Sequence, residues 1–422
     1  MIKVINCKNK NYKNKLKFFL DRRRSGRNID TSVVSKIIKD IKKNKIKALI
    51  KYEKKFSNNK KIKPTKKEIN QSIKTLDPQI KKAIDFAYSR ILKFHLMQKS
   101  KNIKFVDQYK NKIEYKYIPI KKIGVYVPSN LPSTLLMNVI PAKIAGVEKI
   151  VIASPMSSNG KLNSAVMYAA KKCGVQEIIS CGGAQAIGSL AYIQQVDKIT
   201  GPGNDYVAKA KKLVFGDVGI EGMIAGPSEI CVVADKETEL NQIITSLLGQ
   251  SEHSENSQSI LVTKYKEIIQ KVKKDLNINI KKLSRKKIIL KSLKNHGLIL
   301  LCKNDNQIID IINEIAPEHL ELNISNYKQY VKKIYNSGSI CIGKYSPMAV
   351  TDYNAGSNHT LPTLGSAKFS SGLNLSEFNK KISYITLSKK GVEKIGESAI
   401  HLANYESLTA HTLSIRSRMR RK

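Results

Sequence analysis

The chain has 422 residues, 41% of them hydrophobic, a length and composition that fit two or three folded domains and exclude a disordered chain. It carries 75 Lys and Arg against 33 Asp and Glu, a formal net charge of +42. No run of about 18 apolar residues is present, and the first residues do not resemble a signal peptide. We therefore expect a cytoplasmic protein with no membrane partner.

The positive charge has two interpretations. It could neutralise the phosphates of a nucleic acid, or it could reflect lysines that fill tolerant surface positions. The lysines run through almost every segment, and the aromatic content is 6% with no Trp, which is poor for base stacking. This favours a solvated surface, so nucleic acid is not an expected partner. The six scattered cysteines, with no CxxC pair, indicate reduced thiols.

Helical periodicity dominates the chain to about residue 121. Short apolar strands follow at 123–128, 149–154, 177–180 and 197–199, and helical runs at 165–172 and 184–192 lie between them. This alternation predicts βαβ units and a parallel sheet. Glycine-rich turns at 182–185 and 201–204 follow two of the strands, where open α/β sheets bind ligands.

A second block repeats the pattern, with strands at 229–234, 259–263, 298–301 and 339–343 and a helix at 239–251. Two α/β layers of similar size predict two sheet domains. The tail from about residue 382 lacks strand alternation, so we expect a helical appendage there.

The segment 352–363 places a carboxylate, an amide and an imidazole in a loop punctuated by Gly and Pro. Asp352 and His359 lie seven residues apart, in a chain with only 7 histidines. A loop backbone can aim side chains that a regular element would bury. The loop is therefore a candidate functional site.

Three further pairs have the residue types of a metal or proton-transfer site. They are Gln250 with His253 at a predicted helix end, Glu318 with His319 beside Pro317, and Glu406 with His411 in the tail. Taken alone, Gln250 with His253 and Glu406 with His411 fit polar helix surfaces better than a functional site. Glu318 with His319 fits a surface dipeptide and a functional pair about equally well. Together with the loop they hold four of the seven histidines, which favours a shared site. P-loop, HExxH, GxSxG and GxGxxG motifs are absent from the sequence.

Seven motifs, in order along the chain, make this sequence resemble the histidinol dehydrogenase family from about Asp21 to His411. They are Gly182-Gly183-Ala184-Gln185-Ala186, Gly201-Pro202-Gly203-Asn204, Ala225-Gly226-Pro227-Ser228-Glu229, Gln250-Ser251-Glu252-His253, Pro317-Glu318-His319, Asn358-His359-Thr360-Leu361-Pro362-Thr363 and Leu408-Thr409-Ala410-His411.

The resemblance implies an α/β fold of two incomplete Rossmann-like domains with small helical N- and C-terminal segments. The expected division is an N-terminal segment (1–20), a discontinuous metal and catalytic domain (21–125 with 230–375), a dinucleotide-side domain (126–229) and a C-terminal tail (376–422). It also implies a homodimer in which the tail of one subunit completes the active site of the other. Glu406 and His411 would then be donated across the interface.

The resemblance further implies one Zn²⁺ per subunit and NAD as cofactors. It assigns proton transfer to Glu318 and His319. Its zinc ligands match Gln250, His253, Asp352 and His411, its nicotinamide-dinucleotide contacts match Tyr126, Gln185 and Asn204, and its substrate contacts match Ser228, Gln250, His253, Glu318, His319, Asp352, His359, Glu406 and His411. The loop at 129–132 departs from the family pattern, because it is shorter and lacks a Gly-Gly pair.

The implied reaction is the oxidation of L-histidinol to L-histidine through L-histidinaldehyde, with NAD as the electron acceptor. Two alternatives from other classes remain at this point. One is a basic nucleic-acid-binding protein on a retired enzyme scaffold, although no zinc ligand is missing. The other is a zinc hydrolase that uses Glu318 as its base and needs no nicotinamide.

Overall fold

The computed structural model describes residues 2–25, 31–59, 61–157, 160–175, 177–221 and 226–419, so Ala225 of the Ala225–Glu229 motif lies outside the described residues. Two parallel sheets and one small antiparallel sheet are flanked by helices. This confirms the predicted α/β class with Rossmann-like domains. Among the described residues, no helix is both long and apolar enough to cross a membrane.

The strands of the described residues are mostly short apolar runs. They are Lys3–Asn6 (β1), Ile103–Val106 (β2), Lys112–Pro119 (β3), Lys122–Tyr126 (β4), Lys149–Ala153 (β5), Glu177–Ile179 (β6), Lys198–Thr200 (β7), Gly219–Ile220 (β8), Glu229–Ala234 (β9), Gln258–Thr263 (β10), Gly297–Leu301 (β11), His319–Asn323 (β12), Ser339–Ile342 (β13) and Asn379–Thr386 (β14). The eight strands predicted within 123–343 are all present, with bounds that differ by a few residues at most.

The helices of the described residues connect these strands and cover the sheets. They are Tyr12–Ser25 (α1), Thr31–Ser57 (α2), Lys66–Lys74 (α3), Pro78–Leu96 (α4), Pro132–Ala145 (α5), Ser164–Lys172 (α6), Gly183–Tyr192 (α7), Asp205–Val214 (α8), Leu240–Ser251 (α9), Lys266–Ile280 (α10), Lys286–His296 (α11), Asp305–Ile315 (α12), Tyr327–Val331 (α13), Met348–Thr351 (α14), Lys389–Tyr405 (α15) and Thr409–Arg416 (α16). Side-chain caps fix several starts, such as Asn163 before α6 and Asn204 before α8.

The five-stranded sheet has the order β6-β5-β4-β7-β8, with all strands parallel. The chain runs outward from β4 to β6, then returns to the other side of β4 and continues through β7 and β8. The strand order therefore reverses between β4 and β7. In open sheets of this kind, the crevice beyond the carboxyl ends at such a reversal is where ligands bind.

The six-stranded sheet has the order β1-β11-β10-β9-β12-β13 and is also parallel throughout. Its order reverses between β9 and β12. The β9 and β10 strands are buried along their whole length, because helices cover both faces of the sheet. The N-terminal β1 extends this sheet by pairing with β11.

The sequence did not predict the antiparallel sheet, β14-β3-β2, or the strands β1, β8 and β12 of the two parallel sheets. The helical terminal segments are confirmed, and each also carries one strand, β1 at the N-terminus and β14 in the tail. In β3, Ile113, Tyr115 and Tyr117 alternate with polar residues, a signal that the surrounding lysines obscure. The proposed domain boundaries stay a prediction.

Candidate functional site

A cavity of about 590 Å³ lies between the two parallel sheets. From the five-stranded sheet it is lined by residues that follow the carboxyl ends of β4 and β7, including Thr134 and Gly203. From the six-stranded sheet it is lined by residues at the amino ends of strands, including Ser228 before β9 and His319 at the start of β12. The loop at 352–363 supplies another wall.

This cavity contains seven of the nine predicted substrate-contacting residues: Ser228, Gln250, His253, Glu318, His319, Asp352 and His359. The two others, Glu406 and His411, do not line it. Glu406 follows α15 and His411 lies in α16, and both are exposed in the single chain.

His319 is a buried, neutral imidazole. It is 3% exposed, and burial is the main reason that its pKa falls to about 3, with smaller contributions from His359 and His253. Its Nε2 lies 3.6 Å from Asp352 Oδ1, which is too long for a hydrogen bond. Its Nδ1 has no hydrogen-bond partner among the described residues. A neutral imidazole on a cavity wall can accept a proton from a ligand.

Glu318 precedes β12, and its carboxylate is held by the start of the neighbouring strand. The Glu229 amide donates to Glu318 Oε2 over 2.7 Å, and the Glu318 amide donates to Glu229 Oε2 over 3.3 Å. Glu229 Oε1 also accepts from the Leu364 amide. The first bond fixes the Glu318 carboxylate beside His319. The other two join the Glu229 carboxylate to the Glu318 backbone and to the loop that carries His359. Glu229 supports the site through its carboxylate. From the sequence it was identified only as the end of a motif and the first residue of a strand.

Gln250, His253 and Asp352 form the part of the predicted zinc site that one chain can supply. Gln250 is 1% exposed, yet its Oε1 and Nε2 both have no hydrogen-bond partner among the described residues. Burial lowers the pKa of His253 and raises the pKa of Asp352 to about 7. A buried amide with unused bonding capacity, beside a neutral imidazole and a carboxyl, fits the nitrogen and oxygen ligands of a borderline cation.

The set is incomplete within one chain. Among the described residues, no group of three or more His, Cys, Asp and Glu side chains is arranged to hold a metal. The predicted fourth ligand, His411, lies outside the cavity.

His359 is held by its neighbours in one tautomer. Its Nδ1 lies 2.8 Å from the Asp352 carbonyl oxygen, which can only accept, so Nδ1 carries the proton. Its Nε2 therefore accepts from the Thr134 hydroxyl at 3.2 Å. Burial lowers the pKa of His359 to about 4, which keeps the ring neutral. Thr134, from the helix that follows β4, thus joins the five-stranded sheet to the loop.

The three predicted dinucleotide contacts lie on the five-stranded sheet but outside the cavity wall. Tyr126 ends β4, and its hydroxyl accepts from the Gly183 amide over 3.4 Å. Burial raises the pKa of Tyr126 to about 12. Asn204 caps α8 by accepting from the Val207 amide. The turn that Asn204 ends does reach the cavity, through Pro202 and Gly203.

Gln185 is oriented by a residue that the sequence did not single out, Glu53 of α2. Glu53 is fully buried, and its Oε1 accepts from Gln185 Nε2 over 2.8 Å and from the Gly182 amide over 2.9 Å. The Gln185 oxygen is therefore the atom left to accept from a ligand. A Glu on the apolar face of a helix was the available sequence signal.

The fold and the cavity together are those of an α/β enzyme with a proton-transfer site: two Rossmann-like sheets enclose neutral imidazoles and carboxylates that can move protons. The histidinol dehydrogenase family model matches residues 20–419. Histidinol dehydrogenase of Pelagibacter ubique (strain HTCC1062) is 53% identical over 100% of both chains. That of Prochlorococcus marinus subsp. pastoris is 39% identical over 99% of both.

A solved structure agrees with these relatives. Histidinol dehydrogenase from Elizabethkingia anophelis superimposes with a TM-score of 0.92 and 34% identity, covering 99% of this chain and 98% of that one. The chain therefore belongs to the histidinol dehydrogenase family, enzymes of an oxidation step in histidine biosynthesis. An acetylating aldehyde dehydrogenase from Geobacillus thermoglucosidasius, at TM-score 0.51 and 12% identity over 89% of this chain and 97% of that one, shares the fold alone.

Proposed function

We propose that this enzyme oxidises L-histidinol to L-histidine in two hydride transfers to NAD⁺, through L-histidinaldehyde, in the cytoplasm. The observation that carries the proposal is the cavity between the two sheets. It brings together a neutral His319, a fixed Glu318 carboxylate and the unpartnered amide of Gln250. These groups suit an alcohol oxidation followed by hydration and oxidation of an aldehyde.

His319 is the proposed base for the alcohol. In the first oxidation, the hydroxyl proton passes to the imidazole while the carbon hydride passes to the nicotinamide, leaving the aldehyde. A histidine whose pKa is lowered by burial is neutral at physiological pH, so it is ready to accept that proton. His319 then releases this proton to solvent, which returns the imidazole to its neutral starting state.

Glu318 is the proposed base for the second oxidation. It takes a proton from water as the water oxygen adds to the aldehyde carbon, which leaves the former carbonyl oxygen as an alkoxide. This anion of the hydrate transfers its hydride to a second NAD⁺ and becomes the carboxylic acid. The bond from the Glu229 amide holds the Glu318 carboxylate in place for this attack, and the bond from the Glu318 amide to the Glu229 carboxylate holds the Glu318 backbone. Enclosure of the aldehyde in the cavity would limit its escape.

Zinc is the proposed metal, held by Gln250 Oε1, His253, Asp352 and the His411 of a second subunit. The ion would supply a Lewis-acid centre for the nitrogen atoms of the substrate. The unpartnered buried amide of Gln250 is the support for this role from the chain's own residues.

The dinucleotide is proposed to bind at the carboxyl edge of the five-stranded sheet. Tyr126, Gln185 and Asn204 lie there, around the turns that follow β4, β6 and β7. A standard GxGxxG fingerprint is absent from the sequence. The Gln185 oxygen, oriented by Glu53, supports a contact to a donor of the cofactor.

A homodimer with shared active sites is proposed because the cavity lacks two of its predicted residues. Glu406 and His411 lie in a tail with exposed apolar side chains, including Tyr405 at 90% and Leu413 at 67%. A second copy of the chain that covers this surface would remove it from water and bring His411 to the partner's cavity.

The first experiment follows NADH absorbance after L-histidinol, NAD⁺ and Zn²⁺ are added to purified protein. We expect two NADH for each histidine formed. No NADH from metal-loaded protein would refute the proposal, and zinc-dependent hydrolysis of an ester or amide probe would then favour the zinc hydrolase alternative. His319→Asn is the matched inactive control.

The shared site is tested by complementation. His319→Asn damages a subunit's own cavity, whereas His411→Asn damages the partner's cavity. Co-expression of the two inactive variants should restore activity, because each mixed dimer then has one intact site. If the tail served its own subunit, the mixed dimers would stay inactive.

A further inference from the structure

The turn that follows β7 is packed tightly against the end of β4. Gly201 has a φ of +108°, and a Cβ atom at this position would lie 2.0 Å from the Tyr126 carbonyl oxygen. The turn continues through Pro202 and Gly203, which line the cavity. It therefore forms the part of the cavity wall that lies at the strand-order reversal of the five-stranded sheet.

A buried ion pair holds this turn in place. Lys211 of α8 is 4% exposed and Glu221, after β8, is 6% exposed, and Lys211 Nζ lies 2.7 Å from Glu221 Oε1. Glu221 Oε1 also accepts from the Gly201 amide over 2.9 Å, while Lys211 Nζ donates to the Gly201 carbonyl. Both backbone groups of Gly201 are thus bonded by the pair.

The second carboxylate oxygen of Glu221 has no hydrogen bond of standard geometry within the described part of the chain, which does not include residues 222–225. Glu221 lines the cavity beside Pro202 and Gly203, yet its Oε2 is closed to solvent and has no hydrogen-bond partner among the described residues. A buried carboxylate oxygen without a donor is costly. A ligand in the adjacent cavity that carries an N–H or O–H group would satisfy it.

The position of Glu221 favours the cofactor over the alcohol substrate as that ligand. Glu221 lies on the five-stranded sheet with the turn after β7, whereas Glu318, His319 and Gln250 lie on the six-stranded side. A carboxylate also repels phosphate, so it must face another part of a dinucleotide. The remaining donors are the ribose hydroxyls and the carboxamide N–H₂.

We propose that Glu221 Oε2 accepts a hydrogen bond from an uncharged donor of the nicotinamide dinucleotide, a ribose hydroxyl or the carboxamide, and that Lys211 is the positioning residue for this contact. This inference rests on the proposed use of NAD⁺. It makes Glu221 a binding residue for the cofactor and gives the Gly201 turn a role in placing it.

Glu221→Gln tests the contact with little change of side-chain shape. It leaves Lys211 buried without its counter-charge, so thermal melting of the variant is recorded beside its kinetics. The Gly201 amide and Lys211 Nζ are both donors, so they select the oxygen of the new amide. An N–H₂ group then replaces Oε2 and faces the ligand donor. We expect the KM for NAD⁺ to rise roughly tenfold, the KM for histidinol to stay unchanged, and kcat to stay within about twofold.

Analogues of NAD⁺ identify the donor. If the donor is the carboxamide, the natural enzyme should bind acetylpyridine adenine dinucleotide, which lacks the N–H₂ group, more weakly than NAD⁺. The Glu221→Gln variant should bind this analogue no more weakly than the natural enzyme does. If it is a ribose hydroxyl, the analogue that lacks that hydroxyl should behave in this way. Glu53→Met is the control, because it disturbs Gln185 and should raise the KM for every dinucleotide by the same factor.

The inference would be overturned if Glu221→Gln lost affinity for NAD⁺ and for every analogue by the same factor, or if it lost no affinity for any of them. If thermal melting shows that the variant does not fold, the analogues are compared on the natural enzyme alone. Equal affinity for NAD⁺ and all the analogues would then show that none of these donors contributes to binding, which overturns the inference. Absence of NADH formation by the natural enzyme would refute the proposed function instead.

Discussion

The two parallel sheets have the same strand order around their central strands, yet they present opposite edges to the cavity. The five-stranded sheet uses the carboxyl ends of β4 and β7, as expected for an open α/β sheet. The six-stranded sheet uses the amino ends of β9 and β12, where Ser228, Glu229 and His319 lie. The second sheet thus departs from the rule that places ligands at carboxyl ends.

The two edges provide different chemical groups. The carboxyl edge of the five-stranded sheet provides glycine turns whose backbone groups are held by buried carboxylates, Glu53 at Gly182 and Glu221 at Gly201. The amino edge of the six-stranded sheet provides ionisable side chains, because the first residues of its strands and the last residues of its helices meet there. The first edge suits binding of a cofactor, and the second suits proton transfer.

The largest expected effect is on the amino edge. His319→Asn should lower kcat for the alcohol oxidation by about 100- to 10,000-fold, because it removes the base, while aldehyde oxidation is impaired less. Glu318→Gln should do the reverse. Rapid-mixing kinetics started separately from histidinol and from histidinaldehyde distinguish the two steps. Equal loss of both steps in both variants would contradict the separate roles, and KM for NAD⁺ should stay unchanged.

A smaller effect is expected from the backbone of the carboxyl edge. Gly201→Ala should lower the free energy of unfolding by more than the roughly 1–3 kcal/mol of a strained φ, because the new Cβ would meet the Tyr126 carbonyl oxygen at 2.0 Å. Gly216→Ala is the matched control, since its φ is +101° and a Cβ there meets nothing within 4 Å. Urea unfolding measures the free energy of unfolding of both variants. A similar loss in the two would contradict the close packing of the Gly201 turn.

Part of this asymmetry was predictable from the sequence. The strands β5 and β9 are apolar runs after their first residues, Lys149 and Glu229, and the motifs around Gln250 and Glu318 identified the residues of the amino edge. The contact of Glu53 with Gln185 was not predictable, because the two residues are 132 apart in the chain; the position of Glu53 on the apolar face of α2 indicates burial but not the partner. Strand β14 was missed because its partner in the sheet, β3, lies more than 250 residues earlier in the chain, and local periodicity does not report such pairing.

Zinc binding at the amino edge should depend on pH. The metal requires an ionised Asp352, whose pKa is raised to about 7 by burial, so protons compete with zinc below that pH and no longer compete above it. His253 contributes little to this dependence, because burial lowers its pKa. We expect affinity to fall by about tenfold for each pH unit below the Asp352 pKa. Competition with a chelator measures it, and Asp352→Asn should bind weakly with a flatter profile.

The smallest expected effect tests how the carboxyl edge is supported from outside the cavity. Glu53→Met removes the acceptor for Gln185 Nε2 and for the Gly182 amide, so Gln185 loses its fixed orientation. The KM for NAD⁺ should rise by roughly three- to tenfold with kcat nearly unchanged. Glu53→Gln should restore most of the affinity, because its amide oxygen can accept both bonds. Asp40→Asn, on the same helix but bonded to Lys51 and Tyr52, should leave the KM unaltered. A fall in kcat as large as the rise in KM would mean that Glu53 supports the whole fold, and then the two edges would not act separately.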